Sequence, residues 1–491
     1  MSANLRELFA GLDAEISEPA DRADCSITDV CYDSRKVSPG ALFAALPGEK
    51  TNGLLFVPDA VASGAAALLV EQVPASTSIP CVVVPSVRKV LGEVAARFLG
   101  RPGDSLKLIG VTGTNGKTST ARMIEAALSA AGHPTGSIGT ISTRFDGREE
   151  SASLTTPEAI DLQRSLQAML RAGAECVALE VSSHSLALHR VGGLRFDVAV
   201  FTQLSQDHLD YHGSLDAYGE TKAELFGPAY LDGSAVLNAD DALAPLLAKR
   251  ALEAGARVLH YSRSSASSAE IRSSQERPSL EGARFLVDTP SGSAELRLPI
   301  PGDFQIENAL AAIGACVALG LDIEAIAEGL AHCPPIPGRF ERVSSTEPAV
   351  FVDYAHTPDA IDRVLSRVRP FLSDGEKLIC VFGCGGDRDR TKRAPMAEAA
   401  SRHADHVIAT SDNPRTEDPE AILRDVAAGL SGRFEIEADR RRAIGRAIEV
   451  ASKRDVVVIA GKGHEDYQIL GTEKHPFDDR VEARRALGVE S

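Results

Sequence analysis

Short apolar runs alternate with helix-like patterns through much of the chain, which predicts parallel sheets with crossover helices. Three blocks emerge. The first, 1–103, carries apolar runs at Ala65–Val70 and Cys81–Val84 and closes on the linker-like Gly100-Arg101-Pro102-Gly103. The second, 104–336, opens with the apolar run Leu106–Val111, and further strands are expected at Cys176–Val181, Val198–Thr202 and Ala235–Asn238. Within it, the Ser-rich stretch Ser264–Ser274 reads as a surface loop. Ala283–Val287 and Ala294–Leu298 flank Pro290-Ser291-Gly292 as an edge hairpin, followed by an Ala- and Leu-rich helix over Ile306–Leu319. The third block, 337–491, has strand candidates at Val350–Asp353, Leu378–Phe382, His406–Thr410 and Val456–Ala460. Each ends where polar or Gly-rich residues begin. Open α/β sheets gather ligands at the carboxyl ends of their strands, so chemistry is expected there.

Composition narrows the classes. A length of 491 residues exceeds what one core usually sustains, in keeping with three domains, and 44 % hydrophobic content with 25 % charged excludes a disordered chain. The net charge of −17 argues against a nucleic-acid partner, which would call for a basic face, while leaving room for a local pocket that takes an anionic nucleotide. Eight Cys are scattered without any C-x-x-C pair, so neither a zinc site nor a disulfide framework is expected, and the thiols read as buried hydrophobes in a reducing compartment. Met1 to Glu18 lacks the apolar core of a signal peptide, and no stretch approaches the roughly 20 apolar residues of a membrane span. The expectation is a cytoplasmic monomer without membrane insertion.

One motif carries chemistry on its own. Leu106–Val111 runs into Gly113, Thr114, Asn115, Gly116, Lys117, Thr118 and Ser119, and a helical pattern follows. Glycines let backbone N–H groups turn inward and cradle phosphates, Lys117 adds a mobile cation, and the Thr118 hydroxyl can bind Mg²⁺ at the helix N-terminus. The spacing departs from the strict phosphate-loop pattern, because Val111 stands where its first Gly belongs.

Thr112–Ser119 resembles the variant phosphate loop of the Mur ligases, which join amino acids to a UDP-muramoyl peptide, and the resemblance extends over nearly the whole chain. It implies an α/β protein of three domains: a small N-terminal uridine-binding domain, a central P-loop ATPase-like domain with a mostly parallel sheet, and a C-terminal Rossmann-like domain. Asp33-Ser34-Arg35 is similar to the family's uridine-binding segment, so Ser34 and the turn Glu49-Lys50-Thr51 would contact UDP; Asn52-Gly53 replaces the usual Asp-Gly. Thr155, Thr156, Ser182 and Arg190 match substrate contacts, while Leu188 stands where some relatives carry Gln. Glu180 and His208 match Mg²⁺ ligands beside Thr118. Lys222 matches the family's carbamylated lysine, although by its own pattern it is a solvated helix lysine. Asn308 matches an adenine-side residue, and Arg339, Asp353 and His356 match elements that close over ATP.

Asp412-Asn413-Pro414-Arg415 is the most discriminating match. Meso-diaminopimelate differs from lysine by a second, distal carboxylate, which calls for a planar cation such as Arg415. Arg388, Gly461 and Glu465 would complete that pocket, with Glu465 suited to the distal ammonium. The resemblance therefore implies an ATP-dependent ligase that adds meso-2,6-diaminopimelate to UDP-N-acetylmuramoyl-L-alanyl-D-glutamate through an acyl phosphate. Mg²⁺ and a CO₂-derived carbamate on Lys222 would assist. A lysine-adding Mur ligase, a folylpolyglutamate-type ligase and a non-catalytic nucleotide-binding protein are the alternatives. Because an acyl phosphate hydrolyses in water, the third block is expected to close over the second.

Overall fold

The computed structural model describes residues 2–17, 24–48, 51–75, 77–264 and 266–489. Among them lie three main sheets, one in each block. In the first, Asp29–Cys31, Ala41–Ala44, Ala67–Val70 and Cys81–Val83 pair in parallel, with Glu15–Ile16 antiparallel at the far edge.

The central sheet has eleven strands, antiparallel at both ends and parallel through the middle. Its core strands are β1 (Lys107–Thr112), β2 (Cys176–Glu180) and β3 (Phe196–Phe201), with β1 in the centre. Helices cover both faces, so these strands read as unbroken apolar runs, and Leu108, Ile109 and Val111 are fully buried. The helices that matter below are α1 (Lys117–Ala130), α2 (Leu215–Ala223) and α3 (Phe304–Ala318).

The expected hairpin is present as Gly282–Thr289 and Gly292–Leu298 at the edge of this sheet. The expected loop Ser264–Ser274 is shorter than its composition suggested, because a strand spans Ile271–Ser279. Ile271 and Ser273 both point inward and are buried. A buried Ser carries no hydrophobic signal, and neighbouring strands on both sides, rather than local pattern, recruit the segment into the sheet.

The third sheet runs Glu341–Arg342, β4 (Ala349–Asp353), β7 (Val456–Ala460), β5 (Leu378–Cys384), β6 (His406–Ser411) and Phe434–Glu437. It is parallel except for its first pair. Helices α4 (Pro358–Val368) and α5 (Arg440–Val450) belong to it, and a separate hairpin, β8 (Tyr467–Leu470) with β9 (Glu473–Pro476), lies beyond its carboxyl edge.

Arg440 and Asp479 are both fully buried and bond in a fork, Nε to Oδ1 at 2.7 Å and Nη2 to Oδ2 at 2.6 Å. Removing one partner strands the other charge in the core. Asp479→Ala is expected to destabilise this region by about 3–5 kcal/mol, read as a lower denaturant midpoint; an unchanged midpoint would refute it.

Candidate functional site

The phosphate loop leaves β1 at its carboxyl end. Gly113 has φ +147° and Gly116 has φ +88°, and both are pressed closely. A Cβ on Gly113 would lie 1.9 Å from Thr202 Oγ1, and one on Gly116 would lie 2.3 Å from Asn308 Oδ1. Only glycine satisfies both the backbone angle and the space. Asn308, from α3, thus sits against the mouth of the loop. Lys117 opens α1 and donates to the Gly113 and Thr114 carbonyls at 2.8 Å each. Burial pushes its pKa down, opposed in part by the Glu180 charge.

Glu180 ends β2 and collects hydroxyls. Thr118 Oγ1 donates to its Oε2 at 3.0 Å and Thr140 Oγ1 at 2.9 Å, while Thr140 N donates to Oε1 at 2.9 Å. The result is a compact group of hard oxygen donors beside the helix N-terminus, suited to a cation that also holds phosphate oxygens. Among the described residues no cluster of three or more His, Cys, Asp or Glu is placed to hold a metal alone. Phosphate and water would therefore have to supply the remaining ligands of such a cation.

Lys222, on α2, is not solvated as its sequence pattern suggested. It is 1 % exposed, donates to Gly113 O at 2.9 Å and lies over the Tyr218 ring. Burial, reinforced by the nearby Lys117 charge, drives its pKa well below the usual lysine range. His208 sits at φ +52° with Nε2 3.5 Å from Asp207 Oδ2. Burial, partly opposed by Asp207, pushes its pKa down to about 4, so its imidazole is neutral at pH 7.

The third block supplies the roof. Arg339 Nη2 donates to Thr118 Oγ1 at 3.0 Å and its guanidinium stacks on Tyr354. Asp353, at the end of β4, accepts from Phe340 N at 2.7 Å and Ala355 N at 2.8 Å, which holds the turn carrying Arg339. Further ties cross between the blocks: Lys392 to Asp207 at 3.1 Å, Arg363 to Glu307 at 2.6 Å and Arg367 to Asp303 at 2.6 Å. Between roof and floor lies a cavity of about 260 Å³ lined by Thr114–Ser119, Thr155, Glu180, His208, Asn308, Arg339, Asp353 and His356.

A second group gathers at the carboxyl ends of β5, β6 and β7. Arg415 has φ +52°, and its Nη1 donates to Gly386 O at 2.8 Å. Asn413 Nδ2 donates to Glu465 Oε2 at 3.0 Å. Burial, with the Asp412 charge adding to it, raises the Glu465 pKa.

Three family models cover most of the chain: the Mur ligase family catalytic domain over residues 26–99, the Mur ligase middle domain over 111–316, and the Mur ligase glutamate ligase domain over 338–463. The UDP-N-acetylmuramoyl-L-alanyl-D-glutamate--2,6-diaminopimelate ligase of Synechococcus elongatus is 47 % identical over 99 % of both chains. The chain belongs to the Mur ligase family. The ligase of the same description from Gloeobacter violaceus is 47 % identical over 98 % of each chain. A solved structure of a ligase so described superposes with a TM-score of 0.72 at 38 % identity, covering 99 % of both chains. Folylpolyglutamate synthase of Mycobacterium tuberculosis shares the fold at 22 % identity and a TM-score of 0.64, over 81 % of this chain and 94 % of its own.

This Mur ligase brings most sequence-derived candidates into those two groups, but not all. Gly113 and Lys222 do not line the cavity. Thr156 is buried, its hydroxyl donating to Glu180 O at 2.8 Å and accepting from Ser182 N at 3.1 Å. Arg190 pairs with Glu158 at 2.9 Å, and Glu158 meets Arg88 of the first block at 3.4 Å. Ser34 opens a short turn capped by Asp33, and the Thr51 carbonyl accepts from Gly48 N. Glu49 and Lys50 fall outside the described residues. Arg388 is exposed, donating to Asp387 O. Pro414 and Gly461 take their places in the second group, Gly461 at φ +120°. Sequence reasoning missed Thr140, Lys392 and Lys462. Thr140 and Lys392 carry no motif of their own; Lys462 stood within Gly461–Glu465 and could have been found by asking what charge would face Asp412.

Proposed function

We propose that this Mur ligase adds meso-2,6-diaminopimelate to UDP-N-acetylmuramoyl-L-alanyl-D-glutamate, using ATP, in the synthesis of a peptidoglycan precursor. What carries the reading is the pair Arg415 and Glu465, a cation and a carboxylate both tied to Asn413 at one sheet edge, in a chain that matches ligases of that description from end to end. A substrate with a distal carboxylate and ammonium on one carbon answers both charges.

Family resemblance and position together support the following roles. Gly113 to Ser119 hold the ATP phosphates, with Asn308 at the adenine side and Arg339, Asp353 and His356 closing from above. Lys117 would neutralise charge as the substrate carboxylate attacks the γ-phosphate and the bond to ADP breaks. The acyl phosphate so formed is attacked by the diaminopimelate amine, and the tetrahedral adduct collapses to amide and phosphate. Such transfers depend on positioning and charge stabilisation rather than a protein nucleophile. Thr118, Glu180, His208 and a carbamylated Lys222 would hold Mg²⁺, which supplies charge neutralisation at the phosphates when bound. Ser34, Glu49, Lys50 and Thr51 take UDP; Thr155, Thr156, Ser182 and Arg190 take the muramoyl peptide. Arg388, Asp412, Asn413, Pro414, Gly461 and Glu465 line the amino-acid site around Arg415. The three blocks, 1–103, 104–336 and 337–491, divide these tasks as UDP-binding, ATP-binding and amino-acid-binding domains. No helix among the described residues is long and apolar enough to cross a membrane, and we place the enzyme in the cytoplasm as a monomer.

The test is ATP-dependent phosphate release with UDP-muramoyl-Ala-Glu. Release with diaminopimelate and not with L-lysine supports the reading; release with lysine alone, or with neither, overturns it.

Lys222 gives a pH-dependent expectation. Only a neutral amine adds CO₂, and burial beside Lys117 keeps this amine neutral to lower pH than an ordinary lysine. Activity should rise with added bicarbonate, and the bicarbonate requirement should grow as pH falls and the amine gains its proton. A rate indifferent to bicarbonate in CO₂-depleted buffer would reject carbamylation.

A further inference from the structure

We propose that Lys462 is a positioning residue for amino-acid recognition: its buried ammonium, backed by the β8–β9 hairpin, holds the Asp412–Arg415 loop in the shape that presents Arg415 and Glu465. The inference rests on the reading of Arg415 and Glu465 as the diaminopimelate site.

Lys462 is fully buried. Its Nζ donates to Asn413 Oδ1 at 2.9 Å and to Tyr467 O at 2.8 Å, and lies 3.1 Å from Asp412 Oδ1 and 3.7 Å from Glu465 Oε2. One cation therefore touches two residues of the specificity loop, the acid across from them and the hairpin behind. No hydrogen bond of good geometry reaches Asp412 Oδ1 from the described residues, so the 3.1 Å ion pair is what compensates it. Burying a lysine is costly unless it is paired and bonded. Here the pairing converges on the loop rather than on a helix face.

The hairpin completes the clamp. Ile469 N donates to Asn413 Oδ1 at 3.0 Å, Gln468 Nε2 to Asp412 O at 2.7 Å, Arg415 N to Ile469 O at 3.1 Å and Gly471 N to Arg415 O at 2.8 Å. On the opposite side Gly386 N donates to Asn413 O at 2.9 Å. Arg415 is thus held in a left-handed backbone conformation that a non-glycine residue rarely adopts, which requires the surroundings to enforce it.

Charge gives the clamp a signature that packing alone lacks. Glu465 faces Asp412 from the end of β6, Lys462 on its own loop, Arg440 from α5, Tyr354 and His356 past β4, and Tyr467 on β8. Burial and Asp412 raise its pKa; Lys462 opposes them most, followed by the Asn413 hydrogen bond and His356. Without Lys462 the carboxyl keeps its proton to higher pH, and a protonated Glu465 no longer pairs with the substrate ammonium.

Steady-state kinetics of the full chain test this, comparing wild type, Lys462→Met, Gln468→Ala and Arg415→Ala. For Lys462→Met, KM for diaminopimelate should rise about 10²-fold, as when a group is misplaced by about 1 Å, while KM for ATP holds. The acid limb of the diaminopimelate KM should move to higher pH. Gln468→Ala, on the half-buried strand β8, removes one neutral tie without emptying the core; its KM for diaminopimelate should rise about five-fold. It decides the matter should Lys462→Met not fold. Wild-type KM in either folded variant overturns the clamp, as does a Lys462→Met loss confined to kcat and thermal stability with an unmoved acid limb. A wild type that does not turn over diaminopimelate overturns the functional reading instead. Impaired Arg415→Ala beside unimpaired Lys462→Met overturns the clamp alone.

Discussion

Lys117→Met is expected to lower kcat by about 10³-fold or more, the scale on which single cations act in phosphoryl transfer. The methionine keeps the length and volume of the aliphatic stem, so α1 should retain its packing. Only the ammonium is lost, together with its bonds to Gly113 O and Thr114 O. Burial already disfavours the charge of Lys117, and removing it relieves that cost; the folded state should be no less stable than wild type. The discriminating combination is a lost rate with a preserved unfolding midpoint, measured by phosphate release and denaturant titration. A variant with more than a tenth of wild-type kcat would refute the role given to Lys117.

Arg415→Ala is expected to cut kcat/KM for diaminopimelate by about 10²–10³-fold. Two charge-assisted hydrogen bonds to the distal carboxylate contribute roughly 1.5–3 kcal/mol each at most, and 1.4 kcal/mol is tenfold. Lysine has no distal carboxylate, so its kcat/KM should not fall in the same variant. The preference should narrow because the favoured substrate gets worse. A site built to bond a polar group rejects an analogue lacking it far more strongly than an apolar pocket rejects a missing methylene. Equal losses with both amino acids would show that Arg415 holds the loop rather than reads the substrate.

Much of the site was legible in the chain. The strand Leu106–Val111, the glycines at 113 and 116 and Lys117-Thr118 are contiguous, and their chemistry depends on residues adjacent in sequence. The four central strands expected in the third block were placed to within one or two residues at most of their ends, because parallel strands covered on both faces are unbroken apolar runs, whereas the edge strands Glu341–Arg342 and Phe434–Glu437 went unread. Ser264–Ser274 misled because a strand that buries Ser273 leaves no hydrophobic trace. Arg415 stood out by its residue type and by resemblance, but nothing in Asp412–Arg415 foretold that its backbone would be held left-handed.

The sequence by itself determined the main core strands, the phosphate loop and the family, since periodicity and short motifs are local properties of the chain. Tertiary structure alone decided that Lys222 is buried against Gly113, 109 residues away, and that Lys392 reaches Asp207 across 185 residues. It likewise decided that Thr140 serves Glu180 across 40 residues and that Lys462 grips Asn413 across 49. A polar side chain has the same local pattern whether it meets water or a distant carboxylate. Its partner is chosen only when sheets and loops far apart in sequence meet, and burial then makes that choice energetically decisive.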